Sequence, residues 1–127
     1  MKTLLCLLCM MLASAVSAAE HDFADISQQD LTAAIAAKTV IVIDVNGTDS
    51  FKDGHIPTAI DFEAKASHLA DNLPSDKHAL IVAYCGSPEC PAWKQAASAV
   101  AALGYTNVKH FVGGISGWEK SGAPVEK

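Results

Sequence analysis

Residues 79–84 form an unbroken apolar run that leads directly into Cys85, and 92–103, rich in alanine and closed by Gly104, read as the helix that follows. An apolar strand without alternation is expected where a sheet is covered on both faces, the usual surroundings of parallel strands. A second such run, 40–43, is wholly β-branched and ends at Asp44. Two such strands, each followed by helical sequence, imply an α/β fold with a central, mostly parallel sheet and helices on both faces. In sheets of this kind sites collect beyond the carboxyl ends of the strands, where Asp44 and Cys85 both stand.

The remaining elements fill in around these two strands. Ser27 and Asp30 make a capping pair for a helix that carries Leu31, Ala34 and Ile35 on one face and has Lys38 near its end. Asn46-Gly47 starts a turn leading through a short helical stretch around Ser50 to Asp53. The Gly54-His55-Ile56-Pro57 turn then feeds a short strand at 59–62, and 64–70 read as a short helix broken at 72–74. A further strand is expected at 108–112, a turn at Gly113-Gly114, and a last short helix at 115–120 that ends before Gly122-Ala123-Pro124. No repeat, low-complexity tract or interdomain linker interrupts this order.

The first residues bear on the compartment. Met1-Lys2, an apolar run over 4–16 and small residues after it have the layout of a secretory signal peptide, with cleavage expected after Ala18. The run is shorter than the roughly 20 residues of a membrane span, and no small-residue pair precedes Cys6 or Cys9 as a lipoprotein signal requires. The expectation is therefore a leader at 1–18, one domain at 19–127, and a periplasmic or secreted protein with no stable membrane span. Without Lys2, eight lysines face fourteen carboxylates, a net charge of about −6, and no basic stripe invites a nucleic acid. The sequence contains no arginine, the usual bidentate clamp for oxyanions. Of four cysteines only Cys85 and Cys90 lie beyond the leader, and in an oxidising compartment such a pair is expected to form a disulfide by default, a purely structural bridge being the bland alternative to a reactive pair.

Taken in order, Ile43-Asp44-Val45, Gly54-His55-Ile56-Pro57, Val82-Ala83-Tyr84-Cys85, Leu103-Gly104-Tyr105, Gly113-Gly114 with Trp118, and Gly122-Ala123-Pro124-Val125 resemble the rhodanese family over nearly all of the chain beyond the leader. The resemblance implies a sulfurtransferase that carries sulfane sulfur as a persulfide on Cys85. It implies partners in the form of a small sulfane-sulfur donor, a thiol or cyanide acceptor, and a thiol-bearing protein, and it calls for no cofactor. The chain departs from the family where the loop ordinarily ends in Arg or Lys followed by Ser or Thr. Cys90 and Pro91 stand there instead, in a loop that is slightly longer. Asn46 occupies a position that is commonly arginine, and Thr58 one that is commonly glycine.

A thiol acts through its thiolate, and backbone N–H groups with the positive end of a helix lower its pKa. The loop of Gly86, Ser87, Pro88, Glu89, Cys90 and Pro91 is placed to wrap the Cys85 sulfur, with Gly86 allowing unusual dihedrals and Pro91 suited to the first helical turn. Two prolines remove two donors from that wrap, and Glu89 adds a negative charge that no arginine offsets. Thiosulfate is therefore expected to be a poor donor. Lys94 is the nearby cation in sequence, although a solvent-facing helix lysine is the plainer reading. Cys90 can attack a Cys85 persulfide and resolve it to a disulfide.

Two other classes compete: a thiol–disulfide redox protein or sensor, and a non-catalytic binding module with a locked bridge. Four residues separate the cysteines where the familiar redox motif has two, which counts against the first. The scaffold is also related to cysteine phosphatases and arsenate-handling enzymes, but the missing arginine argues against phosphoryl chemistry. His55 reads as structural, Asp44 as a support that orients the loop through backbone N–H groups, and Trp93 and Trp118 as core residues, Trp93 near enough to line the site. His21, His68, His78 and His110 show no ligand spacing, so no metal is expected. The glycine pair at 113–114 reads as a tight turn without phosphate binding.

Overall fold

The computed structural model describes residues 22–127, so the expected leader, with Cys6 and Cys9, lies outside the described residues. The chain runs β1 (Ala24–Asp25), α1 (Gln28–Ala37), β2 (Val40–Asp44), α2 (Thr48–Asp53), β3 (Ile60–Asp61), α3 (Phe62–Lys65), a 3₁₀ segment (Ala66–Asn72), β4 (Leu80–Tyr84), α4 (Trp93–Ala102), β5 (Val108–His110) and α5 (Gly114–Lys120). The five strands form one sheet in the order β1-β5-β4-β2-β3, and every neighbouring pair is parallel. The expected α/β architecture is present. Among the described residues no helix is long and apolar enough to cross a membrane.

Both long strands are buried on two sides, and the period of two along β4 sorts their side chains into separate cores. Ile81, Ala83 and Cys85 join Ile43 of β2 beneath α4, packing with Trp93, Ala96, Ala97 and Val100. Val82 and Tyr84 join Val42 on the opposite face, packing with Leu31 of α1, Trp118 of α5, Ile56 and Phe111. Cys85, one residue past Tyr84, is thus turned to the α4 side by the same alternation that sends Tyr84 to the α1/α5 side. α1 opens as expected, with Ser27 Oγ accepting the Asp30 N–H at 3.0 Å.

Several boundaries differ from expectation, among them these. The helix anticipated at 64–70 begins earlier, because the Asp61 carboxylate accepts the N–H groups of Glu63 and Ala64, and its continuation leaves helical geometry at His68 (φ −132°, ψ 32°). β5 stops at His110, two residues short of the expected end, although the Phe111 N–H still donates to Ala83 O. Pro91 stands ahead of α4, which starts at Trp93; its carbonyl accepts the Lys94 N–H at 3.2 Å in a tightened first turn. β1 was not anticipated: two exposed residues carry no periodic signal, and they are strand because β5 offers an edge to pair with.

Candidate active site

Cys85 sits at the carboxyl end of β4, the middle strand of the sheet, with its neighbours β2 and β5 ending beside it. Its backbone is tied down from below. Cys85 O accepts the Ile115 N–H at 2.9 Å and Gly86 O accepts the Ser116 N–H at 3.0 Å, so the first turn of α5 closes against the start of the loop. Gly114 makes this approach possible. It has φ +62°, and a Cβ built there would lie 2.5 Å from Cys85 O, 2.8 Å from Gly86 C and 2.9 Å from Ser87 N, all backbone atoms. The Gly113-Gly114 pair therefore does more than turn the chain, a role the doubled glycine does not disclose by itself.

The rest of the loop is less constrained. Ser87 to Cys90 is a turn in which the Cys90 N–H donates to Ser87 O at 3.2 Å. Pro88, Glu89 and Pro91 are exposed, whereas Ser87 and Cys90 are half-buried. The prolines lack N–H groups and the Cys90 N–H is taken, which leaves the amides of Gly86, Ser87 and Glu89 as the loop donors for a sulfur anion.

Cys85 and Cys90 are paired near disulfide distance with Cα atoms 6.3 Å apart, inside the range a bridge requires. Cys85 is 1 % exposed and belongs to the core beneath α4. The expectation of an open, amide-cradled sulfur at the strand mouth thus differs from the bridged form, because Cys90 covers Cys85 and neither sulfur titrates. Cys85 Sγ also lies 3.1 Å from Cys90 O, a contact through which the reduced thiol can donate.

Asp44 reaches the site through Tyr84 and leaves the amides of the Cys85 loop untouched. One carboxylate oxygen accepts the Asn46 N–H at 2.8 Å in its own β2–α2 turn, and the other accepts the Tyr84 hydroxyl. Tyr84 OH in turn accepts the Ile56 N–H at 3.0 Å. Burial raises the Asp44 carboxyl above its ordinary range, while the Tyr84 hydrogen bond, the Asn46 N–H and the nearby His55 pull the other way. Tyr84 is pushed well up by burial and by the Asp44 charge, so it stays a neutral donor. These two bonds anchor Tyr84, the last residue of β4 and the one preceding Cys85. The orienting role expected of Asp44 is therefore exercised on the Asn46 turn and on Tyr84.

Behind the loop, Trp93 stacks on His110 with ring centroids 3.7 Å apart and planes within 7°. Burial lowers the pKa of His110, helped by Lys94 and opposed by Asp25, whose carboxylate lies 3.8 Å from Nδ1. His110 Nε2 is buried without a partner. Lys94 is exposed, its ammonium 5.9 Å from the Trp93 ring centroid, as the plainer reading had it. Beside the loop a groove of about 350 Å³ runs between Val45, Phe62, Ala66 and Ala92, with Glu63 and Gln95 as its polar walls. Among the described residues no cluster of histidine, cysteine and carboxylate side chains is arranged for a metal ion.

Comparison with known proteins agrees with this layout. The Rhodanese-like domain profile matches residues 27–121, well over half of the chain. The chain belongs to the rhodanese-like domain family. A curated relative, the thiosulfate sulfurtransferase GlpE of Shewanella oneidensis, is 26% identical over 102 residues, which are 80% of this chain and 97% of that protein. Among solved structures, the BH2092 protein of Bacillus halodurans is similar with a TM-score of 0.65 and 30% identity, covering 81% of this chain and 76% of that one. A rhodanese-related protein of Thermoplasma volcanium has a TM-score of 0.64 at 24% identity, covering 82% and 98%.

The departures from the rhodanese pattern have structural counterparts. Asn46 Oδ1 approaches Gly86 to 3.5 Å of where a side chain would begin, so this position does face the loop. Thr58 adopts φ +72°, a left-handed conformation that glycine takes freely and a β-branched residue takes at a cost. His55 is structural: Nδ1 lies 2.8 Å from Phe51 O, and its ring stacks on Phe51 at 3.7 Å.

Proposed function

We propose that this rhodanese-like protein carries sulfane sulfur as a persulfide on Cys85 and that Cys90 resolves it. The observation that carries the reading is the placement of both sulfurs within one loop at the carboxyl end of the central strand, on a rhodanese frame. With the pair reduced, the Cys85 thiolate attacks the terminal sulfur of a donor such as glutathione persulfide; a Cys85 S–S bond forms and the glutathione thiolate leaves. The persulfide then passes its outer sulfur to a thiol or to cyanide and restores the Cys85 thiolate. Alternatively the Cys90 thiolate attacks Cys85 Sγ, forming the disulfide and expelling hydrosulfide: the two thiols are oxidised and the sulfane sulfur is reduced.

Thiosulfate is a poor donor in this reading, since the chain lacks arginine and Glu89 sits in the loop. A thiol–disulfide redox role is the second reading, favoured by the bridge and by the burial of Cys85 within it. Export completes the proposal, because a bridge of this kind persists in oxidising compartments. The test uses reduced protein with thiosulfate, polysulfide and glutathione persulfide, followed by intact mass. A species heavier by one sulfur atom, absent in Cys85→Ser, is expected with the latter two donors. Undiminished transfer by Cys85→Ser removes the sulfur-carrier reading, and efficient thiosulfate turnover removes the argument from the missing clamp.

A further inference from the structure

The two sulfurs of the bridge are presented unequally. In thiol–disulfide exchange the incoming thiolate, the attacked sulfur and the leaving sulfur lie nearly in line, so each sulfur is reached from the side opposite its partner. With the bridge closed, Cys85 offers almost no exposed surface for such an approach. Its side chain is 1 % exposed among Ile43, Trp93 and Ala96, and its own backbone is fastened to α5 by the Ile115 and Ser116 amides. Cys90 lies in the outer half of the loop, half-buried between exposed Glu89 and exposed Pro91, with its N–H bonded to Ser87 O and its carbonyl against Cys85 Sγ.

We propose that an external thiol reductant opens the bridge at Cys90 and that Cys85 is always the leaving thiolate. This rests on the reading that the pair cycles through a disulfide. The reductant thiolate bonds to Cys90 Sγ, the Cys90–Cys85 bond breaks, and the electron pair stays on Cys85. A second thiolate then attacks the reductant sulfur of the mixed disulfide, releasing the Cys90 thiolate and an oxidised dithiol; two electrons pass from reductant to protein. Cys85, the sulfur-accepting residue, is thus regenerated first and without ever bonding to the reductant. The partner implied is a dithiol reductant that docks on the Ser87–Pro91 side.

Oxidised full-length protein is treated with glutathione, quenched by acid, alkylated and mapped by peptide mass. Glutathione is expected on Cys90 with alkylated Cys85, in at least tenfold excess over the reverse. Because a freed thiolate can shuffle the adduct, glutathionylated Cys85→Ser and Cys90→Ser proteins are also reduced with dithiothreitol. The Cys90 adduct of the first is expected to be released at least tenfold faster than the Cys85 adduct of the second. Equal adducts, a preference for Cys85, or equal release rates overturn the proposal. Sulfur loading of the reduced wild-type protein is measured in parallel. Loading with attack at Cys85 removes only this inference, whereas attack at Cys90 without loading removes the sulfur-carrier reading and leaves a redox protein.

Discussion

The two halves of the Cys85 loop differ in how they are held. Cys85 and Gly86 are clamped by α5, with both carbonyls bonded and backbone atoms packed where a Gly114 side chain would stand. Ser87 to Pro91 has one internal bond and three exposed residues. The same fold thus builds a firmly bonded seat for one sulfur and a sparsely bonded, more exposed cover for the other. In the proposed cycle the first would meet the sulfur donor in one geometry and the second would come and go.

The largest blow to that contrast is Gly114→Ala. A methyl group there meets backbone atoms and the position has φ +62°, so a loss of about 3 kcal/mol and a displaced Cys85 are expected in urea unfolding and in the rate of Cys85 alkylation after reduction. Gly117→Ala three residues on is the control: a Cβ there meets nothing within 4 Å, and the helix gains up to about 1 kcal/mol. If both variants behave alike, the clamp is not what holds the seat.

Reducing the bridge frees the cover alone. Closing so short a loop contributes about 2 kcal/mol in the chain-entropy account, so calorimetry with a dithiol is expected to show a fall in Tm of roughly 8 °C. Cys90→Ser should match the reduced wild type.

Acid loosens the root of the cover through His110. Its folded pKa lies below the ordinary 6.5, so as pH falls below that value the unfolded chain takes up a proton the folded protein resists, and stability drops; above it no such loss occurs. His110→Phe keeps a ring against Trp93 without a titrating group, and its Tm should fall less steeply between about pH 7 and pH 5. An unchanged slope would place the acid sensitivity elsewhere. The smallest effect belongs to Glu89→Gln in the exposed turn, expected within about 0.5 kcal/mol in stability while relieving repulsion toward thiosulfate.

Much of this arrangement was legible before any coordinates. The apolar runs ending at Asp44 and at Tyr84 announced buried parallel strands, and the alternation along β4 then dictates that Cys85 faces α4. The cysteine pair was expected from assigning Cys6 and Cys9 to the leader, which leaves Cys85 and Cys90 as each other's partner. What escaped was non-local. The contact of Gly114 with Cys85 joins residues far apart in sequence, and its requirement for glycine is visible only once α5 meets the loop. Asp44 could be placed at a strand end, but its partner Tyr84 comes from the neighbouring strand, aligned with it by register. The burial of Cys85 depends on whether the bridge is closed, which composition cannot tell. β1 is a strand only because β5 pairs with it.

That last pairing has a consequence for biosynthesis. The strand nearest the amino end joins the sheet through β5, and His55 exchanges two backbone hydrogen bonds with Glu126 near the carboxyl end. A ribosome delivers residues in order, so neither closure can form until β5 and Glu126 have been made. Until then β1 has no strand to pair with and the Gly54–Pro57 turn lacks its bridge, so the last-made segments close structure begun at the first-made ones.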